Sequence, residues 1–245
     1  MNYAIIFAGG TGQRMRSKEI PKQLLKVHDK EIIIHTLNHF EKHAEIESIV
    51  LVFNENYIEE ARKIIKEFKI SKVKDIVPGG ETGQDSIYNG LKVISKFAKE
   101  DDIVLIHDGV RPLIDEYLIT SNITNVKIYG SSISATPAIE TILMTNESNE
   151  VIEIVDRTKA RYGRAPQSFY FSQIYDAHNK AIKDGKHNFV DSASLMKHYG
   201  HTLSYVDCSI DNIKITTIKD YYIFKAILDA KEMGQFSLDE VKNEG

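Results

Sequence analysis

A strand-sized apolar run, Ile5-Ile6-Phe7, opens directly onto Ala8-Gly9-Gly10-Thr11-Gly12-Gln13-Arg14-Met15. Glycines in that place let backbone N–H groups approach a phosphate chain, and the cation of Arg14 completes the cradle. The loop is not a dinucleotide fingerprint, whose third glycine would stand at Met15. Nor is it a Walker loop, because no Gly-Lys-Ser/Thr follows. Lys22, in Pro21-Lys22-Gln23, adds a second cation a short step downstream, suited to clamp the same phosphates. A later apolar run, Ile103 to Ile106, ends in His107-Asp108-Gly109-Val110-Arg111-Pro112. A carboxylate at the C-terminal end of a buried strand lies at the ligand crevice of an open α/β sheet. Asp108 there suits Mg2+, which keeps water and shares triphosphate oxygens. His107 reads as a packed histidine, and Arg111 can serve as a salt-bridge partner or bind an anion.

The glycine loop followed by Pro-Lys-Gln resembles the nucleotidyltransferases that couple a sugar or polyol phosphate to a nucleoside triphosphate. Within that group the chain is most similar to the family of cytidylyltransferases acting on 2-C-methyl-D-erythritol 4-phosphate or ribitol 5-phosphate. The resemblance runs over roughly residues 2 to 230 and through further motifs. It implies a CTP site formed by Ala8, Gly9, Gly10, Gly12, Arg14 and Lys22 with Gly79, Gly80, Asp85, Ser86 and Asp108. Gly80 and Ser86 are expected at the cytosine base. It implies acceptor contacts from Arg111, Thr141, Arg157 and Lys214, with Thr141 and Arg157 reaching in from a partner subunit. Arg14, Lys22, Arg157 and Lys214 are the expected catalytic cations. Mg2+ is the implied cofactor, held by Asp108 with help from Asp211. Two residues depart from the family pattern: Gly83 stands where relatives carry arginine, and Ala165 where they usually carry threonine. Arg161 and Arg164 form a basic cluster nearby and are expected to be solvated. These departures favour a ribitol 5-phosphate-like acceptor, as in teichoic-acid or capsule precursor supply. Methylerythritol phosphate, the acceptor of isoprenoid precursor synthesis, is the alternative. An NAD(P)-dependent oxidoreductase or a non-catalytic nucleotide binder is more distant.

The elements that must position these residues alternate along the chain. Strands are expected at residues 5–7, 49–53, 73–77 and 103–106, and helices at 32–40, 58–68 and 86–97. This rhythm predicts an α/β fold: a Rossmann-like, mostly parallel twisted sheet with helices on both faces. It breaks after Pro137, where residues 141–154 read as a hairpin, an arm of about 139–158 projecting from a single domain. Helices are expected again at 172–183, 192–198 and 221–230, with late strands at 203–206 and 213–216.

The 245 residues are 42% hydrophobic and 27% charged, enough for a large core without staples. One cysteine, Cys208, excludes an internal disulfide and a cysteine-cluster zinc site. With 31 Lys and Arg against 35 Asp and Glu, the net charge is −4, which argues against nucleic acid or anionic membrane as partner. No apolar run approaches a membrane span, and no leader is expected, so the cytoplasm is the expected compartment. The apolar arms of the hairpin predict a homodimer with active sites shared across its interface.

Overall fold

Apolar runs buried on both sides make the centre of the molecule. The computed structural model describes residues 1–9 and 20–233, so the expected contacts at Gly10, Gly12 and Arg14 lie outside the described residues. In chain order, β1 (Asn2–Ala8) is followed by a short 3-10 turn at Lys22–Leu24 and a small hairpin, β2 (Lys26–Val27) and β3 (Lys30–Glu31). Then come α1 (Ile32–Lys42), β4 (Ser48–Phe53), α2 (Ile58–Glu67), β5 (Val73–Pro78), α3 (Gly83–Ile94) and β6 (Ile103–Asp108). The second half holds α4 (Glu116–Tyr129), β7 (Ser131–Pro137), a hairpin of β8 (Ile142–Thr145) and β9 (Val151–Val155), and β10 (Arg161–Tyr170). It closes with α5 (Phe171–Lys183), α6 (Ser192–His198), β11 (Tyr205–Asp207) and α7 (Ile218–Met233).

Seven strands form one sheet in the order β11-β7-β10-β6-β1-β4-β5. All neighbours are parallel except β10, which runs antiparallel to both β6 and β7. Alternation along the strands splits the core in two. Ala4, Ile6, Ile49, Leu51, Ile103 and Leu105 pack under α1, α2 and α4. Ile5, Val50, Val52, Val104 and Ile106 face α3, α5 and α6. The mostly parallel sheet with helices on both faces is therefore as expected.

Two expectations change. Residues 213–216 are not a strand; they form an irregular segment joined by the Ile215 N–H to the Val110 carbonyl at 2.9 Å. Ile215 is fully buried there in a small cluster with Val27, Val110 and Phe224, so its apolar character reflects packing rather than a ladder. The helix expected at 86–97 begins earlier, at Gly83, because Thr82 and Asp85 close a capping box around its first turn.

Candidate active site

The C-terminal ends of β1 and β6 bring the chemistry together. A Cβ added to Gly9 would lie 3.2 Å from the Gly79 Cα and 3.4 Å from Ser86 Oγ. The turn after β1 and the turn after β5 can approach this closely only because both are glycine. The Gly80 N–H donates to Ser86 Oγ at 3.0 Å, and Ser86 Oγ donates to the Thr82 carbonyl at 2.9 Å. Ser86 thus shapes the turn expected to face a base. Asp85 is likewise engaged locally: its Oδ2 accepts from Thr82 N–H at 3.2 Å and Thr82 Oγ1 at 2.8 Å. The structure gives this expected nucleotide contact the work of a helix cap.

At the end of β6, Asp108 is buried between two cations. Lys214 Nζ stands 2.6 Å from Oδ1, and Arg111 Nε donates to Oδ2 at 2.8 Å. Burial pushes the Asp108 carboxyl up, but Lys214 and Arg111 together outweigh it and hold the group at about 2. Arg111 also donates through Nη1 to the Asn212 carbonyl at 2.8 Å, and Asn212 Nδ2 donates to the Ala165 carbonyl at 2.7 Å. One carboxylate therefore fixes two cations drawn from distant parts of the chain. Lys22 joins from the 3-10 turn, donating to the Ile215 carbonyl at 2.9 Å, one residue from Lys214. His107 is fully buried against Phe40, and burial drives it down to about 3. It is neutral at physiological pH and donates from Nε2 to the Arg111 carbonyl at 3.1 Å, a packed histidine.

The Asp108–Arg111–Lys214 cluster lines a cavity of about 230 Å³. Its other walls come from Gly83 and Gln84 of α3, Gly163, Arg164, Ala165 and Gln167 of β10, His178 of α5 and the segment Phe189 to Ser192. Gln167 Nε2 donates to Asp191 Oδ2 at 2.8 Å, and Gln167 Oε1 accepts from Ala193 N–H at 2.9 Å. A concave site with fixed cations and one buried carboxylate at the end of a sheet strand suits phosphate-bearing ligands; the two glycine turns meet at the ends of β1 and β5.

The comparisons with known proteins agree. The family model described as IspD, 2-C-methyl-D-erythritol 4-phosphate cytidylyltransferase, matches residues 2–230. The chain belongs to this cytidylyltransferase family. It is 45% identical to the ribitol-5-phosphate cytidylyltransferase of Streptococcus agalactiae serotype III, covering 96% of this chain and 98% of the relative. It is 38% identical to the 2-C-methyl-D-erythritol 4-phosphate cytidylyltransferase of Clostridium botulinum strain Loch Maree, covering 93% and 97%. A solved 4-diphosphocytidyl-2C-methyl-D-erythritol synthase from Anaerococcus prevotii superposes with a TM-score of 0.80 at 25% identity, covering 94% of this chain and 96% of that one. Nucleotidyl transfer of the cytidylyl type is the enzyme class of this family, and the oxidoreductase alternative falls away.

Within this cytidylyltransferase fold the expected site residues divide. Gly9, Gly79, Gly80 and Ser86 meet at one turn pair, with Ala8 at the end of β1 beside it. Asp108, Arg111 and Lys214 meet at the cavity, with Lys22 tied to the same segment. Thr141 and Arg157 do not join them: both are exposed at the base of the β8–β9 hairpin, and Arg157 Nη1 donates to the Ile139 carbonyl at 3.3 Å. Asp211 is exposed as well, and its neighbour Asn212 is the residue that enters the cluster. Asn212, Gln167 and Asp191 carry recognised segments of the sequence, but nothing in their local pattern reveals which side chain turns inward.

The residues fit Mg2+ in one manner. Among the described residues no group of three or more His, Cys, Asp or Glu is arranged to hold a metal. Asp108 offers a single ionised carboxylate beside a phosphate-sized space, and Mg2+ commonly takes one or two carboxylates and completes its shell with phosphate oxygens and water. An ion that arrives with its triphosphate fits; a preassembled protein cage with Asp211 does not.

Proposed function

We propose that this chain transfers CMP from CTP to ribitol 5-phosphate, releasing pyrophosphate and forming CDP-ribitol. The observation that carries the reading is the Asp108–Arg111–Lys214 cluster on the cavity beside the glycine turns. Its acceptor is named from greater identity to the ribitol 5-phosphate relative, 45% against 38%. The acceptor phosphate has a second pKa of ~6, so it is already largely a dianion at neutral pH and needs no general base. The neutral, buried His107 accords with that chemistry. One acceptor oxygen forms a bond to the α-phosphorus while the bond to the bridging oxygen breaks and pyrophosphate leaves. The obstacle is bringing two polyanions together, so catalysis is positioning and electrostatic stabilisation.

Arg14 and Lys22 hold the triphosphate. Lys214 and Arg111, oriented by Asp108, hold the acceptor phosphate and the charge that develops at the α-phosphorus. Asp108 would hold a Mg2+ ion, which when bound neutralises triphosphate charge. Two copies of the chain form a homodimer in this reading, with Thr141 and Arg157 of one reaching the acceptor in the other. The support is the hairpin itself: among the described residues β8 and β9 pair only with each other, and Leu143, Val151, Ile152 and Ile154 are each at least half exposed. Among the described residues no helix is long and apolar enough to cross a membrane. The water-soluble substrates suit a cytoplasmic enzyme.

A pyrophosphate-release assay with CTP against ribitol 5-phosphate, methylerythritol 4-phosphate, glycerol 3-phosphate and xylulose 5-phosphate tests the acceptor. Ribitol 5-phosphate is expected to give the highest kcat/KM. A higher value for methylerythritol 4-phosphate would overturn the acceptor and leave the cytidylyl transfer in place.

A further inference from the structure

We infer that Arg164 is a third cation of the acceptor-phosphate site, beside Arg111 and Lys214. The inference deepens the proposed transfer and rests on it. The sequence groups Arg161 and Arg164 as a solvated basic pair, and the structure separates them. Arg161 has partners of its own: it lies 3.7 Å from Asp207, donates through Nη1 to the Thr158 and Ala160 carbonyls, and its guanidinium sits over the Tyr205 ring, although its Nε, like that of Arg164, is buried without a hydrogen bond among the described residues. Arg164 is half-buried and lines the cavity. Among the described residues its buried Nε has no hydrogen-bond partner, and no carboxylate lies within ion-pair distance of it.

The charged neighbour that acts on Arg164 most is another cation, Arg111. Burial and that repulsion both push the Arg164 guanidinium below its usual range. A cation half out of water, without a counter-ion and facing a second cation is unfavourable in the free protein. An anion placed between them reverses the sign of the interaction. The cavity wall has three cations, Arg111, Arg164 and Lys214, against two carboxylates, Asp108 and Asp191. Asp191 is itself taken up by Gln167 and by the Ser194 N–H, so it does not neutralise Arg164.

Backbone geometry explains how the side chain comes to be there. The pairing of β10 with β7 shifts register between Gly163 and Gln167. Arg164 lies inside that irregular stretch, where a bulge re-aims side chains away from the regular alternation. Asn212 ties the next residue, Ala165, to Arg111 through one side chain and one carbonyl. The strand that carries Arg164 and the turn that carries Arg111 are thereby locked together. Gly83, on the same cavity, would place a Cβ in open space: among the described residues, nothing beyond its chain neighbours and its own helix backbone comes within 4 Å of it. The arginine that the family resemblance leads one to expect there is glycine in this chain, and Arg164 lines the same cavity.

The test is steady-state kinetics of Arg164→Gln and Arg164→Lys with CTP and ribitol 5-phosphate, alongside thermal melting of each protein. Arg164→Gln is expected to lower kcat/KM for the acceptor about 10- to 100-fold, the range for losing a hydrogen bond to a charged group. KM for CTP should stay within about twofold, and Arg164→Lys should recover part of the loss by restoring charge. The melting temperature of Arg164→Gln should hold or rise, because the free protein loses a repulsion and no ion pair among the described residues. An unchanged acceptor kcat/KM in both variants, or a loss confined to CTP, would overturn the assignment while wild-type turnover keeps the transfer standing. A wild-type protein inactive with every acceptor phosphate would overturn both.

Discussion

Asp108 carries two functions that mutation can separate. Its side chain and that of Arg111 are both about nine-tenths buried, whereas Lys214 is 39% exposed. Asp108→Asn leaves the Arg111 guanidinium buried without its counter-charge, and breaking such a pair costs about 3–5 kcal/mol. The urea midpoint should fall accordingly. Lys214→Ala removes a partner that solvent already screens, so its stability cost stays below about 1 kcal/mol. Its turnover should nonetheless fall ~10²–10³-fold, as when a transition-state charge donor is lost. Equal stability losses in the two variants would contradict this division. His178 gives a separate pH signature. It is buried on α5, stacked on Tyr88, and burial drives it down to about 4 from an ordinary 6.5. The unfolded chain then binds a proton that the folded one refuses between those values. The His178 contribution is complete above pH ~6.5 and is lost as pH falls from there through 4, up to about 3 kcal/mol, on top of the similar loss from His107. His178→Phe, which keeps the ring stack, should reduce the stability difference between pH 7 and pH 4.5 in urea titrations and leave the part due to His107.

At the scale of one element, α3 shows why the same substitution has opposite signs at two places. Gly90 lies where the helix crosses β1 and β4, and a Cβ there would come within 2.9 Å of Ile5 Cγ2 and 3.1 Å of Val52 Cγ2. Gly90→Ala forces those core side chains apart and should destabilise by about 1–3 kcal/mol. Gly83 opens the same helix with free space around it. Gly83→Ala removes backbone entropy from the unfolded chain and should stabilise by up to about 1 kcal/mol. Paired thermal melts would expose an error in either sign. The helix that sequence reading missed, α4, has an equally local explanation. Asn122 and Asn125 are buried among its apolar residues, donating to Leu118 and Ser134 and to Ser131 and Ser204 respectively. Two asparagines on the inward face blur the 3.6-residue apolar stripe. Their partners, Ser131 and Ser134, lie in β7, which is buried yet rich in serine. That strand was hidden for the same reason.

For the whole molecule, the decisive question is whether sites are shared between copies. Thr141 and Arg157 are exposed and away from the cavity wall of their own chain, as residues that serve a partner's site must be. In the proposed mechanism Lys22→Ala damages the nucleotide half of a site, and Arg157→Ala the acceptor half. In a mixed dimer with shared sites, one site carries both lesions and the other carries neither. Mixing the two variants under conditions of subunit exchange should restore part of the lost turnover, approaching half per mixed dimer. A monomer in sedimentation, or mixtures with no recovered turnover, would count against sharing.

Much of the site was readable because it rests on local chemistry. Apolar runs marked β1, β4, β5 and β6, and glycines followed β1 and β5 wherever backbone had to approach backbone or ligand. Asp108 stood out because a carboxylate ending a buried strand has few other reasons to be there. The pairings were not readable. Asp108 meets Lys214 and Arg111 meets Asn212 across about 100 residues of chain, and no periodicity encodes which of Asp211 and Asn212 turns inward. Residues 213–216 have the composition of a strand and become an irregular segment, because a ladder needs a neighbouring edge and that stretch has none. Arg161 and Arg164, three residues apart, diverge only when β10 shifts its register against β7. Local pattern determined which groups the chain brings to the strand ends; packing between distant segments decided which of them share a charge.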